Sequence, residues 1–241
     1  MITALIPARY ASTRFPAKLT QELCGKSVIQ RTYLSTLETG LFDQVIVVTD
    51  HEEIVKQIKE VGGQVFFSTT AHESGSDRIA EAVRDIDTDI VVNVQGDEPF
   101  QDQKSLYDLV RAFDDPSVQV ASMMFNISIE DAHNPNSVKV VLDQNSNAMY
   151  FSRSPIPYIR EQAEDFQYWK HVGIYAYKKS ALLEFTTKPK SKLEQIEMLE
   201  QLRLLEHGVK IKMVPTSHQA IAIDVPEDLE KAIAYFKMNN G

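Results

Sequence analysis

The 241 residues, 43% hydrophobic and 24% charged, suffice for a sizeable core in one large α/β domain or two small ones. A net charge of −9 without any Lys/Arg-rich run argues against a nucleic-acid or anionic-membrane partner, both of which draw on a basic surface. Cys24 stands alone, which excludes an intramolecular disulfide and a thiolate metal cluster, and no apolar run approaches the roughly 20 residues of a membrane-spanning helix.

The chain opens MITALIPARY, with neither a basic n-region nor a long apolar stretch, so no secretory leader is expected and the cytoplasm is the expected compartment. TALIPA (3–8) predicts a short buried strand, and VIQRTYLSTLE (28–38) has helical spacing that ends at Gly40. QVIVVTD (44–50) is a β-branched strand run, followed by the amphipathic EEIVKQIKEV, which stops at Gly62-Gly63. QVFFST predicts a strand, DRIAEAVRDI a helix and DIVVNVQ (89–95) another buried strand. Continuous Val/Ile runs separated by helices indicate a parallel sheet covered on both faces. The second half is more mixed: VQVASMMFNIS, VKVVLD, AMYFSR and HVGIYAYK read as strands with few helices between them, so antiparallel pairing is expected. A single long helix is expected over 193–208 (LEQIEMLEQLRLLEHG), then a strand KIKMVPT and a final helix PEDLEKAIAYFKMNN with Pro226 at its start. No linker or repeat divides the halves, so the expectation is one α/β domain with a mostly parallel central sheet and a mixed sub-region in the second half.

Four segments carry the residues that chemistry needs. The loop PARYASTRFPAK places Arg9, Arg14 and Lys18 directly after the first strand, interleaved with Ser12 and Thr13. It reads either as a polyphosphate cradle or as a solvated basic loop; it is not a P-loop, and no GxGxxG follows the strand. NVQGDEPF (93–100) delivers Asp97 and Glu98 from a buried strand, suited to hold Mg²⁺ or to form a turn with surface acids. Asp224 precedes the last helix and reads as an N-cap or as a ligand. On the long helix Glu194, Glu197, Glu200 and Gln201 share an arc of about 120°, a stripe that either lines a polar pocket or faces water. None of the six histidines has metal-ligand spacing, and His171 opens an apolar strand.

Taken together, PARYASTRFPAK, HESGSDR (72–78), NVQGDEP, NPNSVKVV (134–141), YFSRSPIP (150–157), HVGIYAY, IEMLEQLR (196–203) and DVPEDLE resemble the 3-deoxy-manno-octulosonate (Kdo) cytidylyltransferases, in order and from Ile2 to the final helix. The resemblance implies a glycosyltransferase-A-like nucleotidyltransferase fold, with a CTP-binding part over roughly 1–100 and a sugar-binding and dimerisation part over roughly 101–215. It implies transfer of CMP from CTP to the anomeric hydroxyl of an eight-carbon keto-sugar acid, with Mg²⁺ as cofactor, pyrophosphate as leaving group, and a product that feeds lipopolysaccharide core assembly. A homodimer is implied as well. Arg9, Ser12, Arg14 and Lys18 would bind the CTP phosphates, and His72, Ser74, Arg78 and Gln95 would contact the nucleotide. Asp97 and Asp224 would be the Mg²⁺ ligands, forming with Lys18 and Arg78 the catalytic set. Gln95, Arg153, His171, Tyr175, Glu200 and Gln201 would line the sugar site, Arg153 meeting the sugar carboxylate.

Three departures bear on the sugar and the loop. The family loop runs close to LPGKPL where this chain has FPAKLT, so Ala17 stands where a glycine is usual. AIDVPEDL replaces a segment close to GVDTPEDL, and YIREQAEDFQYWK before His171 is unlike the common form. An alternative sugar is the 8-amino analogue of Kdo, whose ammonium the acidic helix stripe would meet. A catalytically dead sugar-nucleotide sensor is disfavoured by the presence of Lys18, Asp97 and Asp224, and an NAD-dependent oxidoreductase by the missing glycine fingerprint.

Overall fold

The computed structural model describes residues 1–12, 14–72, 74–161 and 166–240. Thr13 of the opening loop, Glu73 of HESGSDR and part of YIREQAEDFQYWK lie outside the described residues. The chain divides into two compact units, Met1–Leu106 with Ala220–Gly241, and Tyr107–Gln219.

In the first unit the apolar runs form a wholly parallel sheet. Strands β1 (Ile2–Ala8), β2 (Gln44–Thr49), β3 (Gln64–Phe67) and β4 (Ile90–Asn93) alternate with α1 (Val28–Glu38), α2 (Glu52–Glu60) and α3 (Gly75–Val83). The strand order is β4-β1-β2-β3, with Ile2 opposite Ile90, Thr3 opposite Gln44 and Ile46 opposite Gln64. Ala4, Leu5, Ile6, Val47, Val48, Val91 and Val92 are buried throughout, the consequence of a sheet with helices on both faces. Capping boxes start two of the helices: Ser27 with Gln30 for α1, and Ser74 with Asp77 for α3, which therefore begins at Gly75 rather than at Asp77. The chain leaves β1 for β2 on one side and returns to pair β4 on the other. The carboxyl ends of β1 and β4 thus flank a topological switch point, the place where open α/β sheets bind ligands.

The second unit holds a mixed sheet of β5 (Val120–Ile127), β6 (Lys139–Leu142), β7 (Ala148–Ser152), β8 (Tyr168–Lys178) and β9 (Ile211–Pro215). β5 runs antiparallel to β8 and parallel to β9, and β6 lies antiparallel to both β8 and β7. Helix α4 (Lys179–Thr187) follows β8.

The single helix expected over 193–208 does not form. It breaks into α5 (Lys192–Glu197) and α6 (Gln201–Glu206) at Met198, which takes the left-handed conformation with φ 54° and ψ 48°. The physical reason is an ion pair. Arg203 meets the buried Glu194 through two bonds, Nε to Oε2 at 2.7 Å and Nη2 to Oε1 at 2.5 Å, and lies over the Phe185 ring. In an unbroken helix two residues nine apart are separated by about 13 Å along the axis, so the fork can close on Glu194 only if the helix turns back. The acidic stripe dissolves with the helix: Glu194 takes Arg203, and Glu197 accepts from Ser152 Oγ and the Arg153 backbone N–H.

Among the described residues no helix is long and apolar enough to cross a membrane. Because removing one partner strands a buried charge, Arg203→Met is expected to destabilise the protein by about 3–5 kcal/mol, read as a lowered urea midpoint. The double variant Glu194→Gln, Arg203→Met should recover part of that loss.

Candidate active site

At the switch point the opening loop turns back under the end of β4. Lys18 starts a single 3₁₀ turn, Lys18–Thr20, whose preceding residue Ala17 is left-handed with φ 53° and ψ 31°. A Cβ in that conformation crowds the following carbonyl, at a cost of roughly 1–2 kcal/mol, which accounts for the family's glycine at this position. Leu19 is buried beneath the turn and anchors it. Opposite, Val94 N–H donates to Leu5 O at 3.0 Å and prolongs the β4 ladder up to Gln95. Gly96 lets the backbone pass closely there: a Cβ would stand a tight 3.0 Å from Pro7 O and 3.4 Å from Ile29.

This geometry gathers four of the expected residues. Lys18 Nζ donates to Asp97 Oδ2 at 2.5 Å and to Asp224 Oδ1 at 3.0 Å, and Arg14 Nη2 reaches the same Asp224 oxygen at 3.1 Å. Burial pulls the Lys18 ammonium down, but the Asp97 charge and the hydrogen bonds to both carboxylates outweigh it and hold its pKa above the ordinary lysine value. Asp224 is placed by the returning C-terminal segment, where Ile223 N–H donates to Asp97 O at 2.9 Å. The N-cap reading of Asp224 fails, because the final helix starts at Pro226 and Asp224 lies one residue ahead of the cap position; the Asp228 carboxylate reaches back to accept from the Asp224 and Val225 backbone N–H groups. Asp224's own carboxylate is left for the two cations. Arg9 is exposed and Ser12 half-buried on the same loop. Among the described residues no group of three or more His, Cys, Asp or Glu side chains is spaced to hold a metal by itself.

The HESGSDR residues do not join this cluster. His72 Nε2 faces Glu81 Oε2 at 2.6 Å and Ser68 Oγ at 3.1 Å, and Ser74 caps α3. Arg78 is only 2% exposed and donates from Nη2 to Asp50 at 2.7 Å, while its Nε and Nη1 have no hydrogen-bond partner. Burial alone would raise the Asp50 carboxyl, yet the Arg78 guanidinium holds it below the usual range. Sequence reasoning passed over Asp50 because it reads as the last residue of a strand. Gln95 lies half-buried at the end of β4.

In the second unit β8 carries His171 and Tyr175 on either side of a bulge, since Val172 pairs with Met123 and Tyr175 with Ser122. Such bulges re-aim side chains beside functional sites. Ser122 Oγ fills the bulge, 2.9 Å from Ile174 O, 3.1 Å from Val172 O and 3.0 Å from His171 Nε2. The His171 and Tyr175 rings lie 5.2 Å apart, with Phe151 against the other side of His171. Although His171 is half-buried as a residue, its ring is enclosed, and desolvation pushes it down to about 3. Burial likewise raises the Tyr175 phenol well above its ordinary value, with Tyr177 and Glu200 adding to the effect. Its hydroxyl and Gln201 Nε2 are buried polar atoms without a partner, so both remain free to bond a ligand. Glu200 lies 3.9 Å from Arg203. Arg153 is engaged with backbone carbonyls in this structure: Nε with Glu197 O at 2.9 Å, Nη1 with Pro135 O at 3.0 Å and Nη2 with Met198 O at 3.4 Å. Of the expected acidic stripe, Glu194 and Glu197 are bonded internally, while the Glu200 charge acts on Tyr175.

Residues 3–211 match the cytidylyltransferase family model. The chain belongs to the cytidylyltransferase family. It is 55% identical over 240 residues, 98% of both chains, to a 3-deoxy-manno-octulosonate cytidylyltransferase of Flavobacterium johnsoniae. A protein of the same name from Christiangramia forsetii is 51% identical over 96% of this chain and 95% of its own. Among solved structures, a CMP:2-keto-3-deoxy-manno-octonic acid synthetase complexed with CTP superposes over 99% of both chains with a TM-score of 0.94 and 38% identity. The cytidylyltransferase therefore has the α/β fold expected of it. A 4-diphosphocytidyl-2C-methyl-D-erythritol synthase from Anaerococcus prevotii, 18% identical over 98% of both chains with a TM-score of 0.67, shares the fold alone.

Two outcomes follow for this cytidylyltransferase. Ala17→Gly should raise the melting temperature by a few degrees, because glycine adopts the left-handed conformation without penalty; a lowered melting temperature would contradict the strain at Ala17. The unfolded chain protonates His171 near pH 6.5 and the folded one only near pH 3. The stability held by the neutral ring is therefore complete above about pH 6.5 and lost as pH falls towards 3. His171→Gln should flatten the denaturation midpoint against pH over that window.

Proposed function

We propose that this chain transfers CMP from CTP to the anomeric hydroxyl of Kdo, releasing pyrophosphate and activating the sugar for lipopolysaccharide assembly. The observation that carries this reading is the Lys18 ammonium held between Asp97 and Asp224 at the switch point, with Arg14 on the same carboxylate. The names of relatives at 55% and 51% identity, and the CTP bound by a structure 38% identical, point to the same chemistry.

Two carboxylates that reach one cation position fit Mg²⁺, which binds through one or two carboxylates and completes its shell with substrate phosphates and water. Asp97 and Asp224 would hold it. When bound it would polarise the α-phosphate and screen the triphosphate's charge. Arg9, Arg14 and Lys18 would bind the phosphates and neutralise charge gathering on the departing pyrophosphate, with Ser12 donating a hydroxyl. The sugar hydroxyl attacks the α-phosphorus as the bond to the bridging oxygen breaks, so that pyrophosphate departs with the electron pair of that bond and the hydroxyl proton passes to solvent. The buried Arg78, with two free donor positions and Asp50 fixing its plane, would read nucleotide acceptors, with His72, Ser74 and Gln95 beside it. On the second unit, Tyr175 as a neutral hydroxyl and Gln201 as an amide offer hydrogen bonds to a polyhydroxylated acid. His171, held neutral, serves as an uncharged hydrogen-bonding wall rather than a proton store, and Glu200 completes that wall. Arg153 can turn a guanidinium edge to the sugar carboxylate only by giving up backbone partners.

We also read the chain as a cytoplasmic homodimer. Support for the dimer comes from an apolar recess of about 670 Å³ on the second unit, lined by residues including Val140, Leu142, Met149 and Trp169; sedimentation of the purified protein should give twice the 27.3 kDa chain mass.

Pyrophosphate release in the presence of CTP and Mg²⁺ tests the reading, with Kdo, its 8-amino analogue and sialic acid as acceptors. Rapid turnover with Kdo is expected, and silence with Kdo would overturn the proposal. Asp97→Asn and Asp224→Asn should each lower kcat by about 10²-fold or more, with an unchanged circular dichroism spectrum at the assay temperature showing that the fold is kept.

A further inference from the structure

Lys139 is wholly buried, at 0% exposure, in the strand-like run of NPNSVKVV. Its ammonium rests on three backbone carbonyls: Ser137 O at 2.6 Å, Arg153 O at 2.5 Å and Asn134 O at 3.2 Å. No carboxylate touches it; burial lowers its pKa, Arg153 adds to that, and the more distant Glu197 offsets part of the effect. A buried ammonium without a carboxylate is a costly device for stability alone.

What the three carbonyls share is their location. Ser137 and Asn134 belong to the loop that leads into β6, and the neighbouring Val138 O accepts the His171 backbone N–H at 2.8 Å. Arg153 ends the β7 segment, and its N–H and guanidinium tie that end to Glu197 and Met198, at the break that precedes Glu200 and Gln201. A single ammonium therefore joins the segments that fix the backbone of His171 and the turn carrying Glu200 and Gln201. Three N–H donors saturate three acceptors, which only a protonated lysine supplies from one atom.

We infer that Lys139 is a positioning residue for the keto-sugar acid: it touches neither substrate but sets the separation between His171 and the Met198 break. The inference rests on the Kdo reading above. A purely structural lysine would, when replaced, lower stability and leave both Michaelis constants alone, or raise them together. A positioning lysine raises the constant for one substrate only.

The test is steady-state pyrophosphate release by the full chain, with CTP and Kdo varied in turn, for the unsubstituted protein, Lys139→Met and Glu197→Gln. Lys139→Met is expected to raise KM for Kdo about tenfold, the effect of losing about one hydrogen bond's worth of alignment, with KM for CTP changed less than about twofold. Glu197→Gln keeps the side chain's shape but loses one of its two acceptor oxygens, and should raise KM for Kdo about threefold with the same selectivity. If Lys139→Met does not fold, Lys139→Gln, which keeps a donor but cannot serve three carbonyls from one atom, takes its place and is read by the same two constants. Unchanged constants, or constants for CTP and Kdo that rise together, overturn the positioning role while the Kdo reading stands. Silence of the unsubstituted protein with Kdo overturns that reading and this inference with it.

Discussion

An ammonium sandwiched between two carboxylates is the constraint on which the first unit's architecture depends. Lys18 can meet Asp97 only if the loop after β1 turns back beneath the end of β4, and the left-handed Ala17, the 3₁₀ turn and buried Leu19 together enforce that turn. It can meet Asp224 only if the C-terminal segment returns to the same place, which the bond from Ile223 N–H to Asp97 O secures. Three stretches far apart in sequence are thus held by charge at one point, above a sheet that needs no charge for its own stability. The carboxylates and cations neutralise one another, which keeps repulsion from splaying the loops.

The second unit handles charge in the opposite manner. Glu194 with Arg203, Glu197 with Ser152 and Arg153, and Lys139 with its carbonyls are all satisfied inside the fold. Among the described residues, the Tyr175 hydroxyl and the Gln201 amide nitrogen are neutral donors buried without a partner. Fixed neutral donors of this kind cost less to desolvate than a loose carboxylate would. The internal ion pairs provide that fixity by breaking what would be a straight helix and re-aiming its far half.

How much of this is legible in the sequence depends on whether the deciding interaction is local. The strands of the first unit follow from uninterrupted Val/Ile runs, and α1 occupies the residues its spacing predicts because Ser27 and Gln30 cap it within one turn. The segments bearing Asp97, Lys18 and Asp224 are visible as charged clusters beside apolar runs, although nothing in their spacing says that they converge. The break at Met198 is invisible, since the residues on either side keep helical periodicity and the pair that breaks it, Glu194 with Arg203, is a tertiary contact. The helices Gln103–Arg111 and Lys179–Thr187 are missed because the mixed half was read mainly for strands. The bulge in β8 leaves only Gly173 as a trace, and Ser122, which fills it, looks like any small residue in a strand.

Lys139 marks the limit of pattern reading most clearly. In VKVV a lysine alternating with valines reads as a solvent-facing position of a half-buried strand, yet its side chain is wholly enclosed. The pattern fails because the acceptors are backbone carbonyls, which every residue possesses and no sequence pattern displays. Motif resemblance identifies side chains that meet a substrate, whereas a lysine that acts on backbone leaves no partner residue to look for. Positions of this kind become visible only when each buried donor is followed to its acceptor, and the acceptors are then followed to the side chains they hold in place.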